Sequence, residues 1–310
     1  MKLGTRGSDL AVRQTEKVGE KLDDLLVDWS YETVETTGDR VSDARYSEIG
    51  GQGVFVRELD RRVVEGEVDA AVHSMKDMPV ETHPELELAA VLERDTPYDV
   101  LVTLDGATIQ ELPDDAVVGT SSMRRHAQLK RFNPSFEVRS LRGNVDTRIQ
   151  KLRDGEYDAV VLSGAGVERL DLDIDVGIHN LNLDRFVPAA NQGVIAVVAV
   201  DGTEEFETLH KIEDSRTRVE ATAERIVLSE IGGGCVIPMG VFARIVGEKI
   251  EIRAEILSVD AEKQVKIDRR YPVESYHEGA KKLAEEMENQ GAVELVKEAK
   301  REIENGEEEE

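Results

Sequence analysis

The chain has 310 residues, 40% of them hydrophobic and only 4% aromatic, and a formal net charge of −26. This length argues for two or three domains with aliphatic cores. The charge makes nucleic acid and anionic membrane poor partners for the surface as a whole, and no apolar run reaches the roughly 18–20 residues that span a bilayer.

The opening stretch MKLGTRGSDL has no apolar signal-peptide core, and a single cysteine cannot form an internal disulfide, so a cytoplasmic location is expected. The acid excess is spread along the chain, and arginine outnumbers lysine. Such a composition suits a halophile-like carboxylate surface kept soluble in concentrated salt. At ~1 M salt the Debye length is about 3 Å, so like charges repel little beyond contact. Stability measured against KCl concentration tests this reading, and full stability without salt counts against it.

Short apolar strands alternate with amphipathic helices, the pattern of an α/β fold. Strands are predicted at 2–5, 30–36, 69–74, 86–92, 116–120, 136–141, 158–163 and 194–200, and helices at 9–27, 55–65, 122–132, 145–154 and 217–229. An internal repeat runs through them. GEVDAAVHS (66–74) matches GEYDAVVLS (155–163), and LGTRGSDLAVRQ (3–14) has the form of VGTSSMRRHAQL (118–129). Two related α/β lobes explain this most simply. Breaks fall at RDTPYD (94–99) and VPAANQG (187–193), and two crossings between the same lobes form a hinge, with strand 194–200 returning to the first. After about 216 the pattern changes. Strands at 241–247, 249–259 and 263–273 suit an antiparallel sheet closed by a helix over 275–304, a smaller α+β domain. The expected division is 1–95 with 193–213, then 96–192, then 214–310.

Each strand–Gly-Thr–turn–helix unit offers a helix N-terminus, whose unpaired N–H groups and partial positive charge attract anions. Thr5, Arg6 and Ser8 stand at the first; Thr120, Ser121, Ser122, Arg124 and Arg125 stand at the second. Simple Ser/Thr capping explains one such unit equally well; a pair, both with arginine, favours ligand binding. In RSLRGNVDTR (139–148), Arg142 and Arg148 bracket a Gly-Asn turn after a strand, where α/β proteins present ligand groups. Arginine binds carboxylates in planar bidentate fashion; the alternative is a solvated charged face.

HSMKDMPV (73–80) places Lys76 and Asp77 after a buried strand and before a proline. Asp77 suits acid–base work or stabilisation of a cation, with a structural salt bridge the competing reading. His73 reads as a hydrogen-bonded structural histidine. The scattered histidines and the single cysteine offer no metal-ligand spacing, so no metal is expected. Cys235 follows three glycines in GGGCVIP. A lone cysteine is ordinarily a small buried hydrophobe, but a glycine turn before it suits a thiol carrying a bulky adduct.

Together the segments GTRGSDLA, GGQGVFVREL, DAAVHSMKDMPV, VVGTSSMRRHAQL, RSLRGNVDTR, GEYDAVVLSGAGVERL, PAANQG and GGGCVIPMG closely resemble the porphobilinogen deaminase (hydroxymethylbilane synthase) family from residue 3 to about 240. The last 70 residues match only in general pattern. The resemblance implies three domains, the first two like the lobes of a type II periplasmic binding protein. It implies a transferase of tetrapyrrole and heme biosynthesis, working as a monomer on porphobilinogen. Four units would condense head to tail, with loss of ammonia, on a dipyrromethane cofactor thioether-linked to Cys235.

By the same resemblance, Asp77 contacts pyrrole N–H groups and stabilises the cationic azafulvene. Ser8, Lys76, Thr120, Ser121, Ser122, Arg124, Arg125 and Arg142 join Asp77 and Cys235 in binding cofactor. Arg6, Arg142, Arg148 and Arg169 bind acetate and propionate groups, and Phe55, Gln14 and Gln192 carry over more weakly. The chain departs from the family pattern at Glu48 and Gln52, where lysines are common, at Asn191 in place of glycine, and at Gly232 in place of glutamate. Two other readings stand beside this one. A carboxylate-binding two-lobed receptor leaves Cys235 unexplained, and a different transferase on the same fold is disfavoured by HSMKD and GTSSMRR.

Overall fold

The computed structural model describes residues 1–34, 54–80, 82–170, 175–234 and 237–308. Its elements run β1 (Lys2–Arg6), α1 (Asp9–Asp24), β2 (Ser30–Val34), α2 (Val54–Val64), β3 (Ala70–Ser74), β4 (Leu86–Val91), β5 (Asp99–Thr103), β6 (Val117–Gly119), α3 (Met123–Phe132), β7 (Glu137–Arg139), α4 (Val145–Arg153), β8 (Ala159–Ser163), α5 (Gly164–Leu170), β9 (Gly177–Asn180), β10 (Ile195–Val200), α6 (Glu204–His210), α7 (Ser215–Ile231), β11 (Met239–Val246), β12 (Lys249–Leu257), β13 (Gln264–Pro272), α8 (Tyr276–Asn289) and α9 (Ala292–Glu308).

The chain forms two compact units, one of Met1–Asp95, Glu168–Asp171 and Gly193–Val219, the other of Thr96–Val167, Leu172–Gln192 and Glu220–Glu310. In the first, five strands order as β2-β1-β3-β10-β4; in the second, five order as β7-β6-β8-β5-β9. In each sheet three parallel strands are followed by one antiparallel strand, β10 or β5, and then an edge strand. The internal repeat is therefore a repeat of topology. The fourth strand of each order is exchanged: β5 follows β4 in sequence but belongs to the second unit, and β10 follows β9 but belongs to the first.

The cores follow from the alternation of strand side chains. Leu3, Ala70, Val72, Ile195 and Val197 pack with Val18 and Leu22 of α1. In the second unit both sheet faces are covered. Leu101, Val118 and Val161 pack with Leu129 and Phe136, while Val100, Val102, Val160 and Leu162 pack with Ile149 and Leu152. Every residue of β5 is thus buried.

The second unit also holds the antiparallel sheet β11-β12-β13. Glu220 and Glu224, one turn apart on α7, face β11: Glu224 Oε1 accepts from Ala243 N at 2.7 Å and Glu220 Oε1 from Ile245 N at 2.8 Å. These carboxylates take up N–H groups along the edge strand β11.

Five points differ from expectation. Strands β5 and β9 and helices α5 and α6 go unpredicted, because each is short and lacks a clear period. The single helix expected over 275–304 is two, broken at Gly291, whose φ of +92° no other residue adopts comfortably.

Candidate active site

In each unit, part of the expected site set stands at the carboxyl ends of parallel strands, where open α/β sheets present ligand groups. In the first unit β1 and β3 are adjacent and parallel, so their ends lie side by side. β1 ends at Arg6, which is half-buried, and Ser8 caps α1 by accepting from Ala11 N at 3.4 Å. Thr5 is buried and donates to Ala11 O at 3.1 Å, holding the turn.

β3 runs into a single tight turn, Met75–Asp77, pinned by buried Met75, whose N–H donates to Val194 O at 3.0 Å. The turn leaves Lys76 half-buried and Asp77 exposed. Gln14, buried on α1, pairs through its side-chain amide with Ser74 Oγ at 2.7 and 3.1 Å, tying the helix to the end of β3. His73 is buried and bonded through Nε2 with the Asp60 carboxylate at 3.0 Å, in keeping with a structural role.

Arg169, on α5, donates from Nε to Asp95 Oδ2 at 2.7 Å and from Nη2 to Gly193 O at 2.8 Å. Asp95 also pairs with Lys17 at 2.7 Å. Here the arginine joins the two segments at which the chain leaves and re-enters the unit.

In the second unit, β6 ends at Gly119 and α3 begins at Met123. Buried Thr120 accepts from Ser122 N at 3.2 Å, exposed Ser121 donates its hydroxyl to Leu141 O, and Ser122 caps α3 by accepting from Arg125 N at 3.4 Å. The neighbouring loop after β7 carries exposed Arg142 and half-buried Arg148. Arg148 Nε donates to Gly143 O at 2.8 Å, closing the turn. Gly143 has φ +110°, and a Cβ there would meet Thr147 Cγ2 at 2.7 Å, so only glycine serves.

Arg124 and Arg125 are placed otherwise than the sequence suggests. Both are buried, and both donate to Asp99: Arg124 Nη1 to Oδ2 at 2.6 Å, Arg125 Nε and Nη2 to Oδ1 at 2.9 and 2.7 Å. Gln192, also buried, adds a bond from Nε2 to Asp99 Oδ1 at 3.0 Å. Burial alone pushes the Asp99 carboxyl up, but the two guanidinium charges and these donors outweigh it and hold the group ionised, far below the usual carboxylate range.

Asn191 adopts φ +62°, a left-handed conformation open to glycine and asparagine, which accounts for asparagine standing in a glycine position. Its N–H donates to Glu224 Oε2 at 2.5 Å, and its Nδ2 donates to Ala221 O at 2.9 Å and to Glu224 Oε2 at 3.2 Å. Sequence reasoning missed Asp95, Asp99 and Glu224. The signal available was the pair of adjacent arginines at the start of a helix, which need a carboxylate wherever they are buried. Cys235, Glu48 and Gln52 lie outside the described residues, as does the side chain of Phe55. Among the described residues no cluster of His, Cys, Asp or Glu is arranged to hold a metal, and no helix is long and apolar enough to cross a membrane.

Comparison with known proteins decides the family. A family model described as porphobilinogen deaminase, dipyromethane cofactor binding domain, matches residues 1–208, and one described as porphobilinogen deaminase, C-terminal domain, matches 218–289. The chain belongs to the porphobilinogen deaminase family. A probable porphobilinogen deaminase of Methanococcoides burtonii is 45% identical over 301 residues, covering 96% of this chain and 97% of its own. One from Methanocella arvoryzae is 45% identical over 303 residues, covering 98% and 99%. A third, from Halobacterium salinarum, is 36% identical and covers 97% and 98%.

As a family member the chain has a dipyrromethane cofactor, and the residues at hand fit one. A dipyrromethane carries acetate and propionate arms, and the second unit offers serine hydroxyls, the α3 N-terminus and the exposed Arg142, all donors and none an anion.

Proposed function

We infer that this chain is a transferase that condenses four porphobilinogen molecules head to tail and releases hydroxymethylbilane, with loss of one ammonia per unit. The observation that carries the reading is the match of the cofactor-domain model over residues 1–208, which spans Asp77 and both helix-end motifs. The dipyrromethane, when bound, supplies the terminal pyrrole carbon onto which units are added.

In this reading Cys235 holds the cofactor through a thioether. Ser8, Lys76, Thr120, Ser121, Ser122 and Arg142 bond its carboxylates, and Arg6, Arg142, Arg148 and Arg169 receive those of incoming units. Arg124 and Arg125 add positive charge from behind the α3 cap. Asp77, exposed at the end of β3, faces pyrrole N–H groups. Its carboxylate stabilises positive charge as ammonia departs and takes up or returns the ring proton. Phe55, Gln14 and Gln192 complete the surroundings. The reading further takes the protein as a cytoplasmic monomer of three domains with an acidic, salt-adapted surface, acting on a small molecule and on neither nucleic acid nor membrane.

Intact-protein mass spectrometry tests the anchor. The wild type should carry a mass excess of two pyrrole units that Cys235→Ala lacks. An active wild type of unmodified mass sinks the thioether, and failure to release ammonia from porphobilinogen sinks the activity.

A further inference from the structure

Asp99 has no place in the chemistry described so far, yet more donors converge on it than on any of the expected ligand residues of its unit. It is the first residue of β5 and wholly buried. Besides Asp99, Arg124 Nη1 reaches Val187 O at 2.9 Å and Gln128 Oε1 at 3.0 Å, and Arg125 Nη1 reaches Val161 O at 3.1 Å. Gln192 Nε2 also donates to Pro97 O at 2.8 Å. One carboxylate thereby fixes the first turn of α3 to the segment before β5 and to the segment before β10.

Two guanidinium groups stand in the first turn of α3, which has no acidic residue, and the helix N-terminus adds partial positive charge of its own. Cations at that end are unfavourable unless an anion offsets them. Asp99 is the carboxylate on which both converge. Gln192 is oriented by the same carboxylate: with Nε2 committed to two acceptors, its buried Oε1 has no partner among the described residues. A buried polar atom without a partner is costly to the free protein and is satisfied by a ligand N–H.

We propose that Asp99 is a positioning residue for the pyrrole site, holding Arg124, Arg125 and Gln192 so that the α3 N-terminus keeps its place for pyrrole carboxylates and Gln192 Oε1 accepts from a pyrrole N–H. The inference rests on the functional reading above. The geometry is set before a ligand arrives, so the arginines lose no freedom on binding.

The test uses the full chain, prepared without cofactor and reconstituted with porphobilinogen, followed by intact mass and steady-state kinetics. Asp99→Asn keeps the shape and removes the charge. It should load the two-pyrrole mass roughly 10- to 100-fold more slowly and raise KM, as misplaced binding groups do. Asp99→Glu keeps the charge and should recover part of the loading rate, and it serves as the test variant if Asp99→Asn does not fold. Thr103→Val, on the same strand, removes the partly buried bond from Thr103 Oγ1 to Ala107 O and controls for lost stability; it should load normally. Loading of the Asp99 variants at the wild-type rate, or an equal defect in Thr103→Val, overturns the proposal. A wild type that never gains the two-pyrrole mass instead removes the functional reading beneath it.

Discussion

Replacing Asn191 by glycine and, separately, by alanine divides two contributions that meet at one residue. The backbone N–H bond to Glu224 survives in both variants, while the two Nδ2 bonds, at 2.9 and 3.2 Å, are lost in both. At about 1 kcal/mol for each net hydrogen bond, that loss is about 2 kcal/mol. Glycine adopts the left-handed φ of +62° freely but adds roughly 0.5–1 kcal/mol of backbone entropy. Alanine instead incurs the left-handed penalty of roughly 1–2 kcal/mol. The glycine variant should therefore be less stable than wild type by about 2.5 kcal/mol and the alanine variant by about 3.5 kcal/mol, read as shifted urea midpoints at unchanged slope. An alanine variant at least as stable as the glycine variant refutes the argument from backbone conformation. Wild-type stability in both refutes the contribution of the two Nδ2 bonds to Ala221 O and Glu224 Oε2.

Other expectations follow the same geometry. Asp77→Asn should fold as wild type does, because the residue is exposed, yet lose roughly 100-fold or more in kcat with the cofactor still attached; near-normal turnover rejects its charge-stabilising role. Gly143→Ala should lower stability by roughly 1–3 kcal/mol through its φ of +110° and its crowding of Thr147, and should raise KM for porphobilinogen by displacing Arg142 and Arg148; an unchanged KM separates the turn from binding. Burial, with Lys130 close by, holds the His126 pKa below its ordinary value. The unfolded chain therefore binds more protons than the folded one as pH falls through about 6.5, and stability declines there. Denaturant titrations between pH 7 and 5 should show the wild type losing stability relative to His126→Gln, and parallel curves exclude this source.

Much of the chemistry is legible in the chain because short motifs carry it. Ser8, Asp77, Ser122 and Arg142 each follow a strand directly, so locating the strand locates the residue at its end. The halves of the repeat are legible for the same reason, since GEVDAAVHS and GEYDAVVLS form equivalent strands in two sheets of one topology. β5 escapes notice because DVLVT is buried on both faces and shows no alternation, and β9 because GIHN is a short edge strand.

The chain by itself determined the family, the two α/β lobes, the antiparallel sheet and the residues at the strand ends. All of these rest on local pattern, on contiguous motifs and on periodicities of two and 3.6. Only the tertiary structure decided that β5 stands in the second sheet between β8 and β9, that Arg124, Arg125 and Gln192 share Asp99, and that Glu224 holds Asn191 in its left-handed turn. Those partners stand 25, 26, 93 and 33 residues apart. The need for a buried charge to find its opposite is written in composition, but which opposite it finds is settled by packing.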